Sequence, residues 1–198
     1  MTVTETFLRA DRAMVEAVAG VGGGSGGGTV RPVFATDPPG GTPVGAAVAH
    51  LARDEAWIPA MLAGRTMAEH GPDAFDGDLL GADPAAAFAR LGVAARDAAG
   101  AVADLDAPVH CSFGDCSGEE YLWQLVVART LGAEALAALA GTPAPVDDEL
   151  AAEVLTGLVP RAELWRQVGI LLPGRTPSSA SPRDELLAVA GSPGVPVG

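Results

Sequence analysis

Apolar residues recur at helical spacing from the start of the chain: Phe7, Leu8, Met14, Val15 and Val18 share one side of a helix that the pattern predicts from about Thr4 to Val18. Thr2 and Glu5 stand ahead of it at capping-box spacing. Asp11 interrupts this stripe, four after Phe7 and three before Met14, and is expected at its edge, reaching solvent or a nearby arginine. Gly20 to Gly28 predicts a flexible loop. It matches glycine patterns of phosphate loops and nucleophile elbows, but it follows a helix rather than a strand, and glycine repeats produce such matches by chance.

A second helix is signalled by Thr42 as cap and Pro43 at the first helical position, running to about Gly64 with a kink at Pro59. Leu51, Ile58 and Leu62 make one stripe on it, and His50, Asp54, Trp57 and Met61 an adjacent one. Asp83-Pro84 starts a third helix to about Ala103, carrying Phe88, Leu91, Ala95, Ala98 and Val102. Ser117 and Glu120 cap a fourth, Glu119 to Ala140, closed by Gly141. Shorter helices are expected at about Asp147 to Leu158, Arg161 to Val168 and Arg183 to Ala190, the first opened by the acids Asp147, Asp148 and Glu149, which suit the helix dipole. Period-two alternation is missing, so the expected fold is an all-α helical bundle in one domain over residues 1–198.

Composition narrows the chemistry. The chain has 25 Asp and Glu against 12 Lys and Arg, a net charge of −13, which argues against nucleic acid or an anionic membrane as partner. All 12 cations are arginine, and neither lysine nor asparagine occurs. That removes a lysine Schiff base, conventionally anchored pyridoxal phosphate and the Walker-type phosphate loop. The alanine, glycine, proline and arginine bias is that of a very GC-rich coding sequence. The N-terminus lacks the unbroken apolar run of a signal peptide, so a cytoplasmic protein is expected, in which Cys111 and Cys116 stay free thiols.

Four stretches carry a family resemblance. AAVAHLARDEAWIPAMLAG (46–64), LGADPAAAFAR (80–90), SFGDCSGEEYLWQL (112–125) and SASPRDELLAVAGSP (179–193) resemble, in order and spacing, segments of the actinobacterial DinB-like proteins related to the N-terminal domain of mycothiol-dependent maleylpyruvate isomerase. The resemblance covers nearly the whole chain. It implies a four-helix bundle with short extra C-terminal helices, holding one divalent metal by a histidine on the second helix and a carboxylate and histidine on the last bundle helix; in the enzymes of the group the metal activates a low-molecular-weight thiol.

The chain departs from that pattern at the ligands. His50 stands at the first ligand position, but Ala128 occupies the carboxylate position and Gly132 that of the second histidine. A register shift of one turn brings Gln124 and Ala128 there instead, with no better donors. One imidazole does not hold zinc or nickel at useful affinity. The expectation is therefore a chain with no metal and no cofactor, whose lost ligands leave a cavity for a small molecule.

The groups expected to face that cavity define the candidate site. His50, oriented by Asp54 one turn away, is read as a general base, against the alternative of a relic on a half-exposed face. Arg129 is read as the cation that holds a substrate carboxylate or enolate, against pairing with Glu134 or Asp54 on a helix flank. Trp57, Met61, Tyr121, Trp123 and Gln124, with the vacated positions Ala128 and Gly132, are expected to wall it. The segment Val109 to Gly118 is read as a loop at its mouth, contributing His110, Cys111 and Phe113, with amides near Ser112 and Phe113 at an oxyanion. His110 and Cys111 also invite a thiolate or metal reading, which C-x4-C spacing does not support. His70 is expected as an exposed loop residue. Proton-transfer chemistry of isomerase, cyclase or lyase type follows; the alternatives are a non-catalytic binding or self-resistance protein and a metal-dependent thiol transferase.

Overall fold

The computed structural model describes residues 1–112 and 114–192 and is mostly helical, as the apolar periodicity requires. Helix α1 (Val3–Gly20) starts where Thr2 and Glu5 place it: the Thr2 side chain accepts from the Glu5 N–H, and the Glu5 carboxylate accepts from the Thr2 N–H. Its buried face, from Phe7 through Met14 to Val18, lies against α5 (Gly118–Ala140) and α4 (Pro84–Ala101). Helix α4 in turn packs on α2 (Val44–Leu62). Helices α2 and α5 close the circuit less tightly, and the gap between them positions the site.

Helix α2 departs from its expected start. Thr42 does not cap it; β2 (Thr42–Pro43) pairs antiparallel with β1 (Thr29–Val30), and Pro43 ends the strand where the helix begins. The helix runs on through Pro59 to Leu62. The glycine run before β1 is packed rather than free. Gly22–Gly24 forms a 3-10 turn in which Gly23 is buried at φ +64°, and a Cβ there would strike Pro84 and Ala85 at the start of α4.

The segment read as a loop before α5 is a hairpin. Strand β3 (Pro108–Cys111) pairs antiparallel with β4 (Gly114–Ser117) in the register Pro108↔Ser117 to Cys111↔Gly114. Phe113 lies outside the described residues. Ser117 then caps α5 by accepting from the Glu120 N–H, and Gly141 ends it in the left-handed conformation at φ +66°. By length and composition α5 is apolar enough to cross a membrane, but 61% of the relevant window is buried inside the fold, where it serves as the central helix.

The two short helices expected between Asp147 and Val168 are one continuous helix, α6 (Asp148–Gln167), which contains Pro160. A short α3 (Met67–His70) and a terminal α7 (Pro182–Ala190) complete the chain. The seam between α5 and α6 is tight: a Cβ on Gly157 would fall inside the Trp123 ring, while Arg161 stacks over that ring at 5.5 Å and donates from Nε to Glu120 at 2.7 Å. Gly157→Ala is therefore expected to destabilise by about 1–3 kcal/mol, the cost of overpacking against a fixed ring. At Gly132 a Cβ would meet only the flexible end of Met14, so Gly132→Ala should cost less than about 1 kcal/mol. Paired urea melts compare the two, and equal effects would overturn the assignment of the rigid contact.

Candidate functional site

Two adjoining cavities lie between α2 and α5. The inner one, about 300 Å³, is lined by Asp54, Trp57, Met61, Tyr121, Gln124 and Cys111 among others. The outer one, about 240 Å³, is lined by His50, Leu51, the 30–37 segment and the Gly132 region. Asp54, Ala128 and Arg129 border both. Small side chains at the middle of α5 and separation of α2 from α5 thus produce space at the positions expected from sequence.

The origin of that space differs at one point. A Cβ on Gly132 would collide with the methyl of Met14 from α1, so the room left by the missing side chain is filled, and Gly132 meets the outer cavity only along its edge. Ala128 is the position whose smallness opens the gap.

Arg129 anchors the site. Its side chain is 1% exposed, and its Nε lies 2.5 Å from Oε1 of Glu55, which is fully buried on α2. The angle leaves neither atom an aligned hydrogen bond, and Arg129 Nη2 also has no partner among the described residues. Glu55 was not singled out from sequence, although it sits four after Leu51 and three before Ile58, inside the apolar stripe. Asp11 of α1 joins it. Rather than sitting at a solvated edge, Asp11 is fully buried and paired with Arg96 of α4, so its arginine expectation holds and its solvent expectation does not.

Burial controls the titration of this cluster. Loss of solvent pushes the Glu55 carboxyl up to about 7, with Arg129 opposing the rise and the neighbouring Asp11 reinforcing it. Asp11 is raised by the same loss of solvent, against the pull of Arg129 and Arg96. For Arg129, burial works against the charge, but Glu55, Asp54 and Asp11 outweigh it and hold the guanidinium above its ordinary value. The alternative partner Glu134 is engaged elsewhere, accepting two bonds from Arg183 at 2.6 and 2.7 Å.

His50 and Asp54 form the i, i+4 pair expected, with Nε2 to Oδ2 at 3.6 Å, but on the rim: their side chains are 73% and 43% exposed. Trp57 and Tyr121 wall the inner cavity, and the buried Trp57 Nε1 has no hydrogen-bond partner among the described residues. Trp123 does not join them. Two residues beyond Tyr121 on a helix, it points away from the gap and packs on α6. His110 is likewise displaced. Adjacent strand residues face opposite ways, so Cys111 reaches the inner cavity while His110 faces a separate depression near Leu62 and Gly118, its Nδ1 2.9 Å from Asp115. His70 is not a loop residue in solvent: it ends α3, half-buried, stacked on Phe75 at 5.2 Å and edge-on to Trp57 at 5.3 Å.

The donors present do not fit the divalent metal that the resemblance implies. His50 has only Asp54 beside it, Ala128 and Gly132 supply no ligand, and among the described residues no three His, Cys, Asp or Glu side chains converge. Cys111 is a poor thiolate, since burial pushes its thiol up to about 12, with Cys116 adding to the rise from 3.9 Å away. Comparison with protein-family models, curated proteins and solved structures finds no match to this chain.

Proposed function

We propose that this chain is a metal-independent small-molecule enzyme whose substrate occupies the cavities between α2 and α5. The observation that carries the reading is Arg129, a buried cation with an unpartnered donor at the junction of both cavities. Its charge suits a developing oxyanion, and His50 at the rim, held by Asp54, supplies the proton acceptor. Such a pair serves isomerisation, cyclisation or elimination. The family reading accompanies it: a DinB-like four-helix bundle of actinobacterial type that has lost its metal site, cytoplasmic and belonging to secondary metabolism, with a small organic molecule as its partner rather than nucleic acid or membrane.

Incubation of the protein with small-molecule extracts of a GC-rich bacterium, followed by mass-spectrometric comparison, tests the reading. A converted metabolite is the expected result, and His50→Ala should slow its conversion by about 10²-fold, the contribution of a general base. A metabolite recovered unchanged but retained by the protein favours the second reading, a non-catalytic binding or self-resistance protein, which the exposure of His50 also favours. Dependence on an added thiol and metal would restore the transferase reading.

A further inference from the structure

The charges around the inner cavity leave a specific deficit. Arg53, on its wall, is engaged by Asp76 at 2.8 Å, and Arg96 is engaged by Asp11. Arg129 is the cation that faces the cavities from full burial, with Glu55 on one side and Asp54 beside it. While Glu55 is ionised, the guanidinium already has its counter-charge. Once Glu55 holds a proton, Arg129 is a buried cation that borders both cavities and has lost its nearest counter-charge, an arrangement that one external anion completes.

We propose that the inner cavity is a subsite for a small organic monocarboxylate seated on Arg129, and that its binding is coupled to a proton taken up by Glu55. The proposal deepens the small-molecule reading and rests on it. A guanidinium edge matches a carboxylate in a planar, two-pronged geometry, and the Tyr121 hydroxyl and Gln124 amide on the same wall add donors. Trp57 and Met61 offer apolar surface to an unsaturated or aromatic body. About 300 Å³ is the lower end of ligand-pocket size and suits a one- or two-ring acid. A dianion fits worse, because Asp54, Asp11 and Glu55 already crowd Arg129.

The groups facing Glu55 set the sign. Asp11 from α1 disfavours its ionisation, Arg129 from α5 favours it, Arg96 of α4 acts through Asp11, and Tyr121 and Asp54 act through Arg129. An anion on Arg129 competes with the Glu55 carboxylate, so it raises the proton affinity of Glu55, and by linkage protonation raises the affinity for the anion. Affinity should therefore fall as pH rises, by up to about tenfold between pH 6 and pH 8, while a benzoate-type ligand itself stays ionised throughout.

Isothermal titration calorimetry with benzoate and 2-naphthoate, set against the neutral benzamide and 2-naphthamide, tests this at pH 6 and pH 8 and, at pH 7, in two buffers of different ionisation enthalpy. The expected result is that the carboxylates bind more tightly than the amides, several-fold and at most about tenfold more tightly at pH 6 than at pH 8, with net uptake at pH 7 of up to about half a proton. Glu55→Gln should bind carboxylates with an affinity that varies with pH much less than the wild type's, the remainder coming from Asp11. The wild-type proton count stands by itself should that variant fail to fold. Amide binding equal to or tighter than carboxylate binding, or carboxylate affinity equal at the two pH values, overturns the proposal and leaves the small-molecule reading intact. Absence of binding by all four probes at 10 mM, on the order of the weakest affinities such a pocket gives, overturns both.

Discussion

Arg129→Met is expected to destabilise the fold by about 3–5 kcal/mol at pH 8, the range for removing one partner of a buried ion pair. The substitution keeps the volume and apolar length of the side chain but leaves the Glu55 and Asp11 carboxyls buried without the cation that opposes their desolvation. At pH 5.5 the loss should be smaller, because Glu55 is already protonated in the wild type and has less charge to abandon. Replacing both partners, Arg129→Met with Glu55→Leu, should recover much of the stability, since a matched apolar pair of similar size escapes the desolvation of two charges. Urea melts of the three proteins at both pH values check the set. If Arg129→Met proves as costly at pH 5.5 as at pH 8, the loss comes from packing and not from the pair.

The same pair explains how much of the site could be read from the chain. Helix positions followed from local rules: Thr2 with Glu5 and Ser117 before Glu120 act on backbone N–H groups three residues away, and Gly141 supplies a conformation that other residues avoid. The small residues of α5 foretold a cavity for a similar reason, since Ala128 has no bulk wherever its helix packs. Glu55 was invisible because its meaning lies across the fold. An acid in an apolar stripe reads the same whether it reaches solvent at an edge or meets an arginine 74 positions later, and spacing along α2 does not distinguish them. The same ambiguity on α1 makes Asp11 read as an edge residue, whereas it is fully buried against Arg96.

Two further departures have similar causes. Strands β3 and β4 are four residues each and carry His, Cys, Ser, Asp and Gly, so their alternation of faces has no hydrophobic signature. It is nonetheless this alternation that separates His110 from Cys111. In α6, Pro160 removes one backbone donor, which in sequence reads as a break. The helix is held against α5 by tertiary contacts: Arg161 donates to Glu120, and Trp123 fills the space that Gly157 leaves, while within α6 Arg161 also donates to Gly157 O at 2.8 Å. Local propensity was outweighed by the seam with α5.

Between pH 5 and pH 8 the wild-type protein is expected to lose stability, in the opposite sense to an ordinary acid-sensitive fold. Glu55 has a proton affinity in the folded state above that of an unfolded glutamate, so the folded state binds more protons than the unfolded one between about 4.5 and 7. Its contribution is fully present below about 4.5 and lost as pH rises through about 7. The shift corresponds to roughly 3 kcal/mol. Asp11, raised as well, adds to the decline. Asp184 works in a different window: held down to about 2 by the Ser179 N–H, its contribution disappears only as pH falls toward that value. Glu55→Gln removes the Glu55 part of the decline and keeps that of Asp11, so its stability should vary with pH less than the wild type's, most visibly between pH 5 and 7. Chemical denaturation at half-unit steps from pH 5 to pH 8.5 measures both slopes. A wild-type curve that rises over this range, or one unchanged by Glu55→Gln, would mean that Glu55 is ionised in the folded protein well below neutrality, and that Arg129 is never free to receive an anion.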